Sequence, residues 1–397
     1  MGFAPPKDAA RIESKWTRAL RATPLLIIFC IAHFTFGTSL RLLEPLISPD
    51  GRYLALSDDF VVDFTTTYFH IPALDNVVSL FTAFFTPALG KFDKAGGLQA
   101  FVFLSDLLPL LYILMIEGSR VGNARTIASR FRTAITLFAQ LLGGAYVVPM
   151  YFFIHYVESG VDRYATPEKR RVQRLELIAA QQANLIAYVV PLATMFTIRG
   201  LANRQWINGV FFHPFPLYAF VIEKVLQRFP LRFSRKPRVD LRLALREKGG
   251  ERRIIKIYDE DLTGLIRIYA LSAITVAGVY LFTRFFCPIP MSQIFFSNLS
   301  SPSAEHTMLY GAAKVLRYDH ICCFSAGAVW ILLHFWDLKR AGYVTASWLR
   351  IVGILAGTTF ICGPGAGMAV MWGWRDFAIR VTFSPEPELE SAPHVAD

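Results

Sequence analysis

The sequence predicts an all-α polytopic transmembrane bundle with eight or nine spans, and three observations carry that expectation. Of its 397 residues, 54% are hydrophobic and only 18% charged, with a mean hydropathy of +0.39. The apolar residues gather into runs close to the roughly 20 residues that an α-helix needs to cross about 30 Å of hydrocarbon. The 41 Lys and Arg, against 30 Asp and Glu, fall in the connections between those runs. Membrane topology accounts for such placement better than nucleic-acid binding does, so no nucleic-acid partner is expected.

Taken in order, residues 1–21 are polar and basic, and residues 22–40 form a first span with His33 inside it. No small-residue cleavage site follows, so this run reads as a retained span and not as a signal peptide. Residues 41–70 are polar enough for a loop. The run 71–89 is apolar but short and carries Asp75 and Asn76 near its start, which suits a span, a re-entrant segment or an interfacial helix. Further spans are expected at 101–117, 133–156, 179–198, 206–227, 259–283, 317–336 and 348–373. With no internal repeat, residues 1–383 read as one transmembrane domain, and 384–397 as an acidic, proline-rich, disordered tail.

The connection 228–258 holds eleven Lys and Arg against three acids, so the positive-inside rule places it in the cytosol. Counting outward makes 157–178 and 337–347 cytosolic, and 118–132, 199–204 and 284–316 lumenal. The sequon at Asn298 then falls on the lumenal side as a glycosylation acceptor, and the expected compartment is the endoplasmic reticulum. The basic N-terminus is cytosolic only if 71–89 crosses, which gives nine spans. Otherwise there are eight.

Chemistry is expected where polar groups lie inside the membrane. A carboxylate within a span costs on the order of 2.5–3.5 kcal/mol on insertion scales and points to a functional site. Asp106 and Glu117 are eleven residues apart, which at about 100° per residue returns them to one helical face. With the spans above, Asp106, His155, Glu158, Gln181, Gln182, Asn184 and Glu223 sort toward the cytosol. Glu117, Arg120, Asn208 and the run Arg317, Tyr318, Asp319, His320 sort toward the lumen. Rival structural roles stand beside these. Arg120, one turn on, can pair with Glu117, and Asp319 starts its expected helix, where it can cap. Among 34 Phe, 15 Tyr and 7 Trp, the rings Tyr151, Tyr188 and Trp330 share helices with the polar groups and can stabilise a cation.

Other chemistries lack their signals. The sequence has no Walker loop, no dinucleotide glycine pattern and no zinc spacing, and five dispersed cysteines read as small buried hydrophobes. Asp58, Asp59 and Asp63 imitate an aspartate-rich diphosphate motif, but without a second cluster they read as a solvated acidic loop. The last span is loosened by Gly353, Gly357, Gly363, Gly365 and Gly367 around Pro364, which suits close helix packing as well as function.

Three segments carry a family resemblance: Ile116-Glu117-Gly-Ser-Arg120-Val-Gly-Asn123, Pro149-Met-Tyr-Phe-Phe-Ile-His155-Tyr156, and Gly363-Pro-Gly-Ala-Gly-Met-Ala-Val-Met-Trp-Gly-Trp374-Arg375. With them the chain resembles the integral-membrane terpene cyclases of fungal meroterpenoid pathways, the ascochlorin, ascofuranone and macrophorin type. The resemblance implies a cyclase without cofactor or metal. A carboxylic acid protonates the terminal epoxide or alkene of a farnesylated aromatic, and the prenyl chain closes into rings. Buried acids, aromatic walls and a dry cavity fit that demand. The membrane-carboxylate reading selects Glu117 as first choice for the acid, then Asp106 and Asp319. Arg120, Tyr151, His155, Asn184, Tyr188, His320 and Trp330 are candidate contacts to a lipophilic prenylated substrate in a lipid surround. The rival classes are a transporter of such a metabolite and a membrane acyltransferase using a histidine such as His334.

Overall fold

Hydrocarbon offers backbone N–H and C=O groups no partner, and the chain meets that demand with helices. The computed structural model describes residues 13–37, 39, 46–48, 50–57, 59–229, 250–296 and 308–381. The expected glycosylation site Asn298, most of the basic 228–258 connection and the tail 384–397 lie outside the described residues.

Helix α1 (Lys15–Arg21) starts on Ser14, whose side chain accepts from Thr17 N–H, and bends by 48° into α2 (Thr23–Ala32) and its π-helical extension His33–Gly37. Within the stretch expected as a plain loop, β1 (Leu46–Ile47), β2 (Tyr53–Ser57) and β3 (Phe60–Asp63) form an antiparallel meander. Its driving signal is a period of two: Leu54 and Leu56 are buried with Val62, Phe64 and Ala83 while their neighbours face outward. Helix α3 (Pro72–Gly90) follows, its Asp75 accepting from Tyr68 N–H and Phe69 N–H, and then α4 (Lys94–Ser119), capped by Asp93. Next come α5 (Arg132–Leu142) and α6 (Gly144–Glu158), then α7 (Arg174–Asn184), which passes through the π-helix Leu185–Val189 into α8 (Val190–Thr197). Helix α9 (Leu201–Ile207) and its π extension Asn208–Phe212 bend by 54° into α10 (Phe215–Arg228). The chain ends with α11 (Gly250–Phe286), α12 (Met291–Phe296), α13 (Met308–Arg340), α14 (Trp348–Cys362) and α15 (Pro364–Val381).

By length and composition, five helical segments among the described residues can cross a membrane, or seven if each bent pair is one span. The sequence count of eight or nine treats 133–156 and 348–373 as single spans, and both are broken. Gly143, at φ 91°, separates α5 from α6, and Gly363, at φ 93°, separates α14 from α15. This is backbone that L side chains rarely adopt. Each break is a reversal. Ile127 N–H, just before α5, bonds Glu158 at the far end of α6 (2.8 Å), and Gly367 packs back onto Thr359. Helices α5–α6 and α14–α15 are therefore hairpins.

The reversal in α5–α6 corrects the expected sides. Val121 N–H bonds Arg171 O (3.1 Å) and Arg120 bridges Val172, so the connections 118–132 and 157–173 pack together at one end and not at opposite ends. Glu117 and Arg120 thus share a level with His155, while Asp106 lies beside His320. Successive contacts make α4, α6, α13 and α15 run in one direction: Gln99 to Leu316 and Asp106 to His320, Phe152 to Trp330 and His155 to His334, Gly365 to Asp106 and Trp372 to Glu117. These four form the core, in which Trp330 is stacked between Phe152 (4.2 Å) and Trp372 (4.0 Å). Asp319 is also moved: it lies well inside α13 and not at its start.

The N-terminal helix is clasped to the same end as 118–132. Buried Arg18 donates to Asp337 (2.7 Å) and to Tyr156 O (2.9 Å), and Glu13 accepts from Arg21 (2.6 Å) and Arg340 (2.7 Å). Partial burial pushes the Glu13 carboxyl up, but the two guanidinium groups outweigh it and hold its pKa at about 2 instead of 4.5. A depressed carboxylate pKa contributes stability that is complete above the unfolded value and is lost as pH falls through the folded one. Glu13→Gln should therefore lower the thermal midpoint in detergent at pH 7, and the gap to the parent should close between about pH 4.5 and 2; a gap independent of pH would remove the clasp. Cysteines placed at exposed Ala124 and Lys169 should react with a membrane-impermeant maleimide from the same side of sealed vesicles. Reaction from opposite sides would overturn the α5–α6 hairpin.

Candidate active site

A helix that starts inside a bundle leaves its first N–H groups without intrahelical partners. At the α5–α6 reversal, Asp319 of α13 supplies the acceptor: its Oδ1 takes Ala145 N–H (2.5 Å) and the Cys323 thiol (3.4 Å). At the α14–α15 reversal, Asp106 of α4 does the same for Gly365 N–H (3.1 Å). Only glycine fits at 365, because a Cβ there would come within 2.5 Å of Asp106 O. Asp106 is fully buried, and its second oxygen, with no hydrogen-bond partner among the described residues, lies 3.4 Å from His320 Nε2. His320 stacks on Phe103 (4.9 Å) and meets Phe295 and Phe324 edge-on or tilted.

At the other end the buried charges balance. Glu117 accepts from Arg120 (2.8 Å), Asn123 (2.9 Å), Trp372 Nε1 (3.2 Å) and Arg375 (3.2 Å). Asp376 accepts from Arg120 (2.9 Å), Arg375 (2.9 Å) and the Tyr269 hydroxyl (3.1 Å). Two carboxylates and two guanidinium groups form a neutral quartet. Burial works against the charge on Arg120, but Asp376 and Glu117 hold its pKa above the ordinary arginine value. Because both Glu117 oxygens accept from N–H donors, this geometry suits an ionised carboxylate. His155 lies 3.9 Å from Glu117, and neither ring nitrogen of His155 or His334 has a hydrogen-bond partner among the described residues.

Two adjacent cavities lie between α4, α5, α6, α7, α10 and the π segments that follow α7 and α9. The inner one has a free volume of about 60 Å³ and is walled by Leu107, Gly144, Tyr151, Phe152, Tyr188 and Phe212 among others. The outer one, about 30 Å³, is lined by Met115, Arg132, Asn184 and Glu223 among others. They share Leu111, Leu114, Thr136 and Phe215 as walls. Both are narrow, so a ligand enters only as side chains part, but the mix of apolar wall and few polar groups is typical of small-ligand sites. Gly144 forms part of the inner wall, and the position a Cβ would take there lies 3.1 Å from Asp319 Oδ1, so the carboxyl group sits directly behind that wall.

The expected site residues therefore separate into three places. Tyr151, Tyr188 and Asn184 line the cavities, with Asp319 behind. Asp106 and His320 form a pair beside α15. Arg120, Glu117, His155 and Trp330 belong to the ionic and aromatic core, as does His334, which lines neither cavity. Sequence reading did not select Arg132, Arg375, Asp376 or Trp372. The adjacent charges Arg375 and Asp376 at the end of an apolar run were the available signal.

The CtvD domain family matches residues 58–380. Among curated relatives, FAD-dependent monooxygenase BOA8 of Botryotinia fuckeliana is 29% identical over 274 residues, covering 69% of this chain and 33% of that protein. Terpene cyclase ascI of Acremonium egyptiacum is 28% identical over 174 residues, 43% of this chain and 45% of that one. Terpene cyclase rstn5 of Aspergillus nomiae is 23% identical over 310 residues, 77% and 81% respectively. The chain spans between a third and just under half the length of the first of these relatives. No solved structure matches.

Removing one member of a buried ion pair costs about 3–5 kcal/mol because its partner is left uncompensated. Arg375→Met should accordingly collapse the folded yield in fluorescence-detected size exclusion, whereas Arg130→Met on the surface should not. An Arg375→Met protein as stable as its parent would show that the quartet does not hold the core.

Proposed function

The chain belongs to the CtvD domain family, and on that premise we propose that it is a membrane-bound terpene cyclase acting on a farnesylated aromatic. The observation that carries this reading is the aromatic-walled cavity with a buried carboxyl group directly behind its inner wall. Glu117 was the first candidate for the acid, but its oxygens are taken up by the quartet, so the donor's role passes to Asp319, with Asp106 next. A proton on Asp319 Oδ2 leaves both hydrogen bonds to Oδ1 in place.

In this mechanism the proton moves to the oxygen of a terminal epoxide, its C–O bond opens, and the neighbouring alkene closes the ring on the carbon left positive. Tyr151, Phe152, Tyr188 and Phe212 supply faces for the passing cation. The last cation gives up a proton to a carboxylate or base, so product and substrate have the same mass. The reaction needs no metal or nucleotide. The longer relatives named FAD-dependent monooxygenases favour the epoxide over the alkene, since a monooxygenase can make an epoxide from an alkene. That name need not describe the shared segment, because this chain covers only a third to under half of their lengths. Terpene cyclase rstn5, by contrast, is covered over 81% of its length.

We further place the clasped end, with the connections 118–132, 157–173 and 337–347, in the cytosol, and the protein in the endoplasmic reticulum membrane. The basic 228–258 connection supports that side.

Microsomes carrying the protein should convert a farnesylated phenol bearing a terminal epoxide to a cyclic isomer, and chelation with EDTA should leave the rate unchanged. Asp319→Asn should lower kcat by at least about a hundredfold at retained expression. Full activity in that variant removes Asp319 as donor, and release of unchanged substrate across the membrane would favour transport.

A further inference from the structure

An apolar cavity alone would hold a prenyl chain in either direction, so something must orient it. The outer cavity offers a polar group for that purpose. Asn184 is 1% exposed and lines the outer cavity; its Nδ2 faces Met115 Sδ (2.7 Å), and its Oδ1 has no hydrogen-bond partner among the described residues. A buried acceptor left unpaired costs about 1–3 kcal/mol, which a ligand donor can recover. The neighbouring charges are already committed. Arg132 pairs with Glu223 and donates to Ser119 (2.9 Å) and Met115 O (3.1 Å), and Glu223 also accepts from Gln227 (2.9 Å). They form a fixed polar rim and leave the Asn184 oxygen as the open acceptor.

We propose that Asn184 receives a hydrogen bond from a hydroxyl on the polar head of the substrate, so that the head sits in the outer cavity and the far end of the chain lies at Gly144. From Met115, beside Asn184, to Leu107 of the inner wall, α4 rises by about 12 Å, so a three-isoprene chain that parts the walls the two cavities share brings its last unit to the wall in front of Asp319. Chain direction and head chemistry are then set by one carboxamide. This orientation rests on the cyclase reading, but the hydrogen bond can be tested without turnover.

The probe is 3-pentadecylphenol, whose saturated tail cannot be protonated into a cation, set against its methyl ether, which has no donor. Equilibrium binding to the full chain in nanodiscs, with empty nanodiscs subtracted, should favour the phenol by at least about tenfold. Asn184→Leu, close in volume and without the acceptor, should erase that preference by weakening the phenol alone. Equal binding of both probes by the parent protein overturns the proposal without any variant. So does displacement of both by phospholipid, which would give the cavity to a membrane lipid. If the phenol is preferred but the farnesylated epoxide is not turned over, the cyclase reading fails and the Asn184 site stands. If the epoxide cyclises while the preference is absent, the cyclase reading stands and the Asn184 site fails.

Discussion

A helix interrupted inside hydrocarbon must have its freed N–H groups answered from within the protein, and this requirement organises the molecule. Two interruptions, at Gly143 and Gly363, are each answered by an aspartate from another helix, Asp319 and Asp106. The carboxylates explain why α5–α6 and α14–α15 can reverse where they do, and the reversals explain why four core helices run in one direction. Neither aspartate could be replaced by an apolar residue without leaving a buried donor unpaired, at about 1–3 kcal/mol each. The same contacts place both acids deep in the bundle, beside a cavity in one case and beside His320 in the other.

The opposite end is built differently. There Glu117, Arg120, Arg375 and Asp376 consume one another's charges, and the aromatic stack of Phe152, Trp330 and Trp372 closes over them. Such an arrangement fixes geometry, since each member is held by several partners, and it leaves no proton in want of a destination. Carboxylates saturated by guanidinium groups hold a bundle together; one bonded through a single oxygen retains a second on which a proton can sit. The two kinds of buried acid in this chain divide along that line.

Much of this was legible in the residues and some was not. Run length and composition are enough to indicate helices and a membrane, because both follow from burying about 20 apolar residues in succession. The Glu117–Arg120 contact follows from a three-residue spacing. Run length cannot distinguish one long helix from two antiparallel short ones, so 133–156 reads as a span although Gly143-Gly144 reverses it. From that one reversal the expected layers went astray, placing Glu117 apart from His155 and Asp106 apart from His320. The pairing of Glu117 with Arg375, 258 residues away, has no local signature at all. The meander at 46–63 was readable only through the alternation of Leu54 and Leu56, within a segment whose polarity masks it.

The division between saturated and unsaturated acids also bears on why the cavity lies where it does. A proton donor for an oily substrate needs to be dry and close to the substrate but must not itself be drawn into an ion pair. The guanidinium groups of the quartet would capture any carboxyl within reach, and so would Arg132 at the outer cavity, as its pairing with Glu223 shows. The wall at Gly144 is different: the group behind it is bonded by a backbone N–H and a thiol, both neutral, and the residue in front has no side chain. A larger residue at 144 would press on the acid and collide with Cys323, whose sulfur lies 2.6 Å from the position a Cβ would occupy. Gly144, next to the glycine that lets the chain turn, is thus the thinnest part of the wall between a buried acid and the space a prenyl chain would fill.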